Sequence, residues 1–306
     1  MVRSRKNSCT SLGAKIIVGL GVGFGIGTSA NARAHDPFNL IVVDKLKSQI
    51  YQAQYNSDHI ELKKSYHVTL GKARGDKVME KDLKTPEGVY FFTAKLTPPS
   101  LKKKFGHMAL MMNYPNPIDQ LEGKTGYDIM LHSTDDPPRL KRDLDSEGCV
   151  VIDNSEIEEL SQSIRLGLTP IIIYPELKPE FLRSDAKPDL KQAFQKWLSA
   201  WNGKDLDTYI GAYTNNFSYR GMDLKRYRDH KKSLNLKYAE IHVVADNLRF
   251  FYHPKYDVVS FTQRYDSALK SGSKGFVSSG TKMLYFVKDS THYKIANESY
   301  SNLKED

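Results

Sequence analysis

Cysteine is nearly absent from this chain, since its 306 residues include only two. Cys9 precedes an apolar run near the N-terminus, so a chain cleaved after that run would keep Cys149 as its single thiol. A lone thiol forms no disulfide within its own chain, and in an exported protein it is open to oxidation. The sequence therefore suggests that Cys149 has a chemical role.

Several other features are missing, and each absence removes a class of function. No phosphate-binding glycine loop is present, since the glycines at 19 to 27 belong to the N-terminal apolar run. His107, His132 and Cys149 match no strong zinc spacing. There are no internal repeats or low-complexity tracts. We therefore expect no cofactor and no metal.

The N-terminus is typical of a secretory signal peptide. Arg3, Arg5 and Lys6 form a basic start, an apolar run covers 16–26, and Ala32-Arg33-Ala34 offers small residues before a cleavage site at His35. The alternative is a membrane anchor, but the run is short and rich in glycine. We predict a signal peptide over 1–34, export to the periplasm and no transmembrane anchor.

The positive net charge does not indicate a nucleic-acid partner. The formal charge is +9, but the first 34 residues hold five cations and no acid, so the remainder carries +4. Such a surface is ordinary, although it tolerates an anionic polymer such as cell wall. The run 102–104 contains three lysines, and we interpret it as a solvated loop.

Residues 35–178 have mostly strand-like patterns. Runs of β-branched and aromatic residues alternate with turn residues, and one helix begins at Asp153 or Asn154, directly after a strand that starts at Cys149. The stretch 95–126 is rich in proline and irregular. The predicted strands are 39–44, 49–54, 64–70, 89–93, 128–132, 149–152 and 170–174.

The second half has a different pattern. Prolines around 175–188 suggest a linker at 179–189. From Leu190 to Trp201 the apolar residues recur at helical spacing, and further helices are predicted after Asp205 and over 224–234. Strands are then predicted at 239–245, 248–252, 258–265, 280–287 and 292–296. Helices followed by an antiparallel sheet predict an α+β domain over 190–306.

Cys149 and His132 form a candidate nucleophile and base. A thiol attacks a carbonyl as the thiolate, and an imidazole can take its proton to form a reactive ion pair. Gly148 lets a substrate approach the backbone, its amide and that of Cys149 could face an oxyanion, and Ser146 could donate at the same edge. These residues alone are equally compatible with a buried structural cysteine and a core histidine.

The sequence around His132 and Cys149 resembles the catalytic motif of the L,D-transpeptidase (YkuD) family. The shared features are a histidine, a cysteine inside Ser-x-Gly-Cys-Val, a capped helix, a Gly-x-x-Pro-Ile-Ile-Ile strand and an upstream Thr-Pro-x-Gly at 85–88. The resemblance implies a β-rich domain, Cys149 as nucleophile, His132 as base and peptidoglycan stem peptides as substrate. Ser146 and Gly148 match motif positions, and a backbone carbonyl near Ser133 would be the third catalytic partner.

Two departures from the motif affect the expected reaction. Glu147 replaces the usual histidine or polar residue, and Val151 replaces an arginine that is common in cross-linking enzymes. The sequence looks closer to the branch that contains helical-cell-shape L,D-carboxypeptidases, whose members carry a C-terminal NTF2-like domain. The aromatic spacing at 197–217 and the strands at 280–295 resemble such a domain. We therefore expect a mostly β catalytic domain followed by an α+β NTF2-like domain.

Three functions follow as hypotheses. The first is a periplasmic L,D-carboxypeptidase that removes the terminal D-alanine from tetrapeptide stems through an acyl-enzyme and influences cell shape. The second is an L,D-transpeptidase, or an amidase acting on a wall-anchored lipoprotein. The third is a non-catalytic peptidoglycan-binding module. In each case the NTF2-like domain is expected to bind wall polymer or a protein partner.

Overall fold

Two buried parallel strands form the centre of the larger sheet. The computed structural model describes residues 38–302, in which β1 (Phe38–Asp44) runs parallel to β10 (Pro170–Tyr174). Both are almost wholly apolar, as expected for strands covered on both faces. The predicted signal peptide lies outside the described residues.

Six further strands complete an eight-stranded sheet around this pair. The order across the sheet is β3-β2-β1-β10-β5-β6-β7-β9. A separate two-stranded ladder joins β4 to β8. The remaining strands of this half are β2 (Gln49–Tyr55), β3 (Ile60–His67), β4 (Leu70–Gly71), β5 (Gly88–Leu96), β6 (Ala109–Met112), β7 (Met130–His132), β8 (Leu144–Ser146) and β9 (Val150–Val151).

The stretch 95–126 is more regular than its sequence predicts. It contains β6 and a short helix, α1 (Pro117–Leu121). Asn116 caps this helix by accepting hydrogen bonds from the amides of Ile118 and Asp119, and Pro117 occupies its first position. Proline suits that position because its missing N–H would have no helical partner there. The prolines that argue against long elements thus include one that starts a helix.

The helix after the candidate cysteine forms as predicted. In α2 (Asn154–Ser161), Asp153 accepts a hydrogen bond from the amide of Ser155, and Ile157 and Leu160 are fully buried. Their side chains join the core on one face of the large sheet. The helix therefore covers the sheet directly beyond β9.

The second half contains helices followed by a four-stranded antiparallel sheet, which confirms the predicted fold class. The apolar face of the first helix is buried as its spacing predicts, from Leu190 to Trp201. The strands predicted at 239–245 and 248–252 are in fact one strand, with a register irregularity between Asp246 and Arg249. The elements are α3 (Pro188–Asn202), α4 (Leu206–Gly211), β11 (Ser218–Tyr219), β12 (Met222–Asp223), α5 (Leu224–Lys237), β13 (Tyr238–Tyr252), β14 (Asp257–Leu269), β15 (Lys274–Asp289) and β16 (His292–Asn302).

The two halves share a core. The face of the large sheet opposite α2 packs against the second sheet, where Phe91 and Tyr174 join Phe251 and Tyr285 in one apolar cluster. The Tyr256 hydroxyl also accepts a hydrogen bond from the amide of Val89, at 2.9 Å. The limits proposed for the domains, 35–178 and 190–306, stay predictions.

The predicted linker at 179–189 is tied to its surroundings. The Tyr55 hydroxyl donates to the Ser184 carbonyl at 2.8 Å, and the Tyr252 hydroxyl donates to the Asp185 carbonyl at 2.7 Å.

Within residues 38–302, no helix has both the length and the apolar character needed to cross a membrane.

Candidate active site

The register of two adjacent strands places Cys149 and His132 on one face of the large sheet. Strands β7 and β9 are parallel, with Leu131 opposite Val150 and His132 opposite Val151. Cys149 directly precedes β9. Because residues two apart on a strand point to the same face, the Cys149 side chain projects to the same side as that of His132.

The His132 imidazole is held in a defined orientation. Its Nδ1 lies 2.5 Å from the Ser133 carbonyl oxygen, and because a carbonyl only accepts, Nδ1 carries the hydrogen. The lone pair is therefore on Nε2. The Phe105 ring meets the imidazole edge-on, with centroids 4.8 Å apart. Burial lowers the pKa of His132 to about 4, so the ring is neutral near pH 7.

The Cys149 thiol is half-buried in an apolar setting. It packs with a small cluster that includes Leu101, Phe105 and Met130, and its Sγ lies 3.7 Å from the Asp128 carbonyl oxygen. Burial raises the pKa of this thiol to about 11. Both shifts favour a neutral thiol and a neutral imidazole at rest over the thiolate–imidazolium pair that the sequence suggests.

Ser146 and Gly148 close the turn before the cysteine. The Ser146 hydroxyl donates to the Cys149 carbonyl at 2.6 Å and accepts from the Gly148 amide at 3.1 Å. The Ser146 hydroxyl and the Gly148 amide, which are predicted to face a substrate or oxyanion, therefore form hydrogen bonds within the turn instead. This arrangement leaves the amide of Cys149 as the backbone donor to consider for an oxyanion.

Ser133 acts through its main chain. Its carbonyl contacts His132 Nδ1, while its hydroxyl is buried and accepts from the amides of His107 and Met108 at 3.0 and 3.1 Å. The side chain therefore anchors the 105–108 segment. It does not reach outward to a substrate.

Lys84, directly before the Thr-Pro-x-Gly segment, packs against the turn that carries the cysteine. A Cβ added to Gly148 would lie 2.8 Å from the Lys84 carbonyl oxygen, and Gly148 has a φ of +133°. On the other side, the Gly71 amide donates to the Thr85 hydroxyl at 2.8 Å. The two glycines thus let residues 83–85 lie between them, which gives this upstream motif a role in shaping the site.

Replacing Gly148 with alanine is therefore expected to destabilise the fold. The new Cβ meets backbone, and the backbone conformation disfavours any side chain, so the loss should be about 3 kcal/mol. Gly123→Ala is the matched control, because Gly123 also has positive φ (+71°) but nothing lies within 4 Å of its added Cβ. Urea unfolding should show a loss of only about 1 kcal/mol for the control. Equal losses in the two variants would contradict the close approach.

A buried ionic network holds the same segment from behind. The Lys45 ammonium donates to the Thr85 carbonyl at 2.6 Å and to Glu87 at 2.8 Å. Asp76 accepts from the Glu87 amide at 2.7 Å and also contacts the ammonium of Lys255, at the tip of the β13–β14 hairpin. The second half of the chain therefore contributes to the support of the site. Sequence spacing does not predict these pairs.

His107 and Val151 both contact neighbouring residues of the catalytic half. The His107 ring contacts Asn154 through Nδ1 at 2.9 Å and Glu158 through Nε2 at 2.9 Å. Val151 is fully buried in β9, where its amide donates to the Thr69 carbonyl.

Among residues 38–302, no three His, Cys, Asp or Glu side chains are grouped as a metal site.

A second candidate site lies in the C-terminal half. A cavity of about 470 Å³ opens among the helices and sheet there. Its wall carries the half-buried Lys231, whose ammonium lies 4.4 Å from the ring centroid of Trp201 and 5.1 Å from that of Tyr227. Burial lowers the pKa of Lys231 to about 8. The other aromatic residues that line the cavity are Tyr219, Tyr238, Tyr265, Phe276 and Tyr300.

This cavity has a polar group without a partner. Gln263 is 5% exposed, and its side-chain oxygen has no hydrogen-bond partner among the described residues. In contrast, Glu298 is fully engaged, with Lys282 at 2.7 Å and the hydroxyls of Tyr213 and Tyr227 at 2.9 Å each. The cavity thus combines an ammonium, aromatic faces and an unpaired carboxamide oxygen. Such a combination suits an anionic or amphipathic ligand.

Two family models match the chain. Residues 39–173 match the L,D-transpeptidase catalytic domain (YkuD), and residues 189–299 match the C-terminal NTF2-like domain named Cds6_C. No curated protein matches the chain.

Solved structures match almost the whole chain. The structure of Bd1075 from Bdellovibrio bacteriovorus is 30% identical over 88% of this chain and 94% of its own, with a TM-score of 0.70. The helical cell shape determining protein Pgp2 from Campylobacter jejuni is 24% identical over 87% of this chain and 91–92% of its own, with a TM-score of 0.68. The likeness to Pgp2 concerns the fold.

Proposed function

Because the chain belongs to the L,D-transpeptidase (YkuD) family and carries an NTF2-like domain after the catalytic domain, we propose that it is a peptidoglycan L,D-carboxypeptidase. It would remove the terminal D-alanine from tetrapeptide stems through an acyl-enzyme on Cys149. The observation that carries this proposal is the shared face of Cys149 and His132, with the Nε2 lone pair of His132 available as base.

The proposed reaction starts from the neutral pair. His132 Nε2 takes the thiol proton while Sγ attacks the carbonyl at the L-centre of the diaminopimelate residue. The Cys149 amide is the donor we assign to the oxyanion. Collapse of the tetrahedral intermediate breaks the amide bond, and the imidazolium returns its proton to the departing D-alanine nitrogen. A water that gives its proton to His132 then hydrolyses the thioester, which releases the tripeptide and restores the thiol.

The identity of residue 151 favours water, rather than an amine, as the acceptor of the acyl group on Cys149. Cross-linking members of the family commonly carry an arginine at this position, whereas here a fully buried valine pairs with Thr69. The position thus presents no cation to a second stem peptide. This supports hydrolysis over transfer to an amine.

The proposal is tested with purified tetrapeptide muropeptide. We expect the wild-type chain to produce tripeptide and free D-alanine, detected by liquid chromatography and mass spectrometry, and Cys149→Ala to leave the substrate intact. Dimeric muropeptides would instead favour transpeptidation, and release of a wall-bound lipoprotein would favour the amidase. An unchanged substrate with both proteins would overturn the carboxypeptidase and favour a non-catalytic binding module.

A second role, binding of wall polymer by the NTF2-like domain, is supported by the cavity around Lys231. Its ammonium and aromatic walls suit an anionic polymer that carries apolar sugar faces. Lys231→Met should weaken co-sedimentation of the full chain with insoluble peptidoglycan by about tenfold in Kd. Lys232→Met is the matched control, since Lys232 is its exposed neighbour. Equal binding by both variants would exclude this cavity.

We further propose that the protein acts in the periplasm and influences cell shape, in keeping with the description of Pgp2 as a helical cell shape determining protein. Cells that lack the protein should change curvature, and the gene for Cys149→Ala should fail to restore it. Restoration by that variant would separate shape from catalysis.

A further inference from the structure

Three cationic side chains act electrostatically on the candidate reacting pair. Besides the effect of burial, the charge of Lys104 lowers the pKa of both Cys149 and His132. Lys77 lowers the pKa of the thiol, and Arg139 lowers that of the imidazole. Lys104 is therefore a cation whose charge influences both groups. Nothing in the sequence distinguishes it from the other lysines of the 102–104 run.

The other two cations are already occupied. Lys77 is buried and pairs with Asp82 at 2.9 Å. Arg139 donates to the Asp145 carbonyl at 2.7 Å, and its Nε lies 3.6 Å from the carboxylate of the same residue. Lys104 is exposed, and no carboxylate of residues 38–302 lies within ion-pair distance of its ammonium. Of the three, it is the cation whose charge is available to a substrate.

The chain on both sides of Lys104 is anchored at the site. Leu101 and Phe105 pack in the same apolar cluster as Cys149. The Phe105 ring also lies against the His132 imidazole, with centroids 4.8 Å apart, and the Lys104 ammonium lies 4.9 Å from the centroid of that ring. These contacts place the ammonium over the Phe105 ring, which itself packs against His132.

We propose that Lys104 is a specificity-determining residue that binds the free carboxylate at the C-terminus of the peptide to be cleaved. This inference rests on the proposed carboxypeptidase function and concerns the same site. In a peptide that ends one residue after the cleaved bond, the terminal carboxylate is attached to the Cα next to the leaving nitrogen. It therefore lies within a few ångströms of the attacked carbonyl, where an unpaired ammonium stabilises it. A stem that continues or is cross-linked at that end lacks this charge.

The experiment measures binding without turnover. In the full chain with Cys149→Ala, calorimetry compares the tetrapeptide stem, which ends in a free carboxylate, with the same peptide ending in a carboxamide. We expect the free acid to bind about tenfold more tightly than the amide. Adding Lys104→Met should remove this preference by weakening the acid alone, and Lys104→Arg should retain most of it.

Lys102→Met is the control, since it removes the same charge from the same exposed loop and should keep the preference. Equal affinity for acid and amide in the Cys149→Ala chain overturns the inference, and so does equal weakening of both peptides by Lys104→Met. These outcomes are independent of the reaction. Failure of the proposed function shows separately, as a tetrapeptide that the wild-type chain does not convert.

Discussion

Replacing Cys149 with alanine is expected to reduce tripeptide formation by at least about 1,000-fold, because the acyl-enzyme cannot form without the thiol. The variant keeps the turn closed by Ser146 and Gly148, since neither of their hydrogen bonds involves the Cys149 side chain. The measurement is the initial rate of D-alanine release from the tetrapeptide.

The fold of this variant provides the control. The Cys149 side chain is half-buried, so its truncation should lower the free energy of unfolding by only about 1 kcal/mol. Thermal unfolding of the two proteins should therefore be similar. A variant that folds and still releases D-alanine within tenfold of the wild-type rate would contradict a role for Cys149 as nucleophile.

Alkylation of Cys149 should require unusually high pH. Burial raises the pKa of this thiol to about 11, against about 8.5 for a free cysteine. Because only the thiolate reacts, the rate with iodoacetamide should rise with pH to well above 9. At pH 7.5 it should be on the order of 100-fold below that of the unfolded chain. Mass spectrometry of the Cys149 peptide follows the reaction.

His132→Ala tests the origin of this behaviour. The neutral imidazole adds no charge to the resting pair, so its removal should move the alkylation midpoint by less than about half a pH unit. A wild-type midpoint below 8.5 that rises on removal of His132 would instead reveal the thiolate–imidazolium pair that the sequence alone suggests.

The sequence predicts the strands that position His132 and Cys149, because the strand pattern is local. The apolar runs around His132 and after Cys149 identify two strands, and the family motif pairs them. The sequence does not show which partners Ser146 and Gly148 have in their hydrogen bonds. Ser146 and Gly148 have the right identities for a substrate contact, but they bind each other and the Cys149 carbonyl.

Regular elements in the proline-rich stretch 95–126 are missed for a related reason. Pro117 has the pattern of a helix breaker, but with Asn116 as cap it starts α1. In β13, Asn247 adopts a positive φ and indicates a turn, while the strand continues past it through an irregularity. The local cap at Asn116 decides the first case, whereas pairing with β14 continues β13 past Asn247.

Long-range contacts could not be predicted at all. Lys255 meets Asp76 across 179 positions, and the Tyr256 hydroxyl meets the amide of Val89 across 167. A lysine in a basic run likewise gives no sign that it lies beside the active site. Lys104 becomes notable only when Phe105 is seen against His132.

Digestion of whole peptidoglycan tests most directly the central claim, that water resolves an acyl-enzyme on Cys149. Sacculi are treated with the wild-type chain or with Cys149→Ala, and the muropeptides are then resolved by liquid chromatography and mass spectrometry. We expect conversion of tetrapeptides to tripeptides with the wild type only, without new dimers. New dimers joined through diaminopimelate, or identical profiles for the two proteins, would contradict the claim.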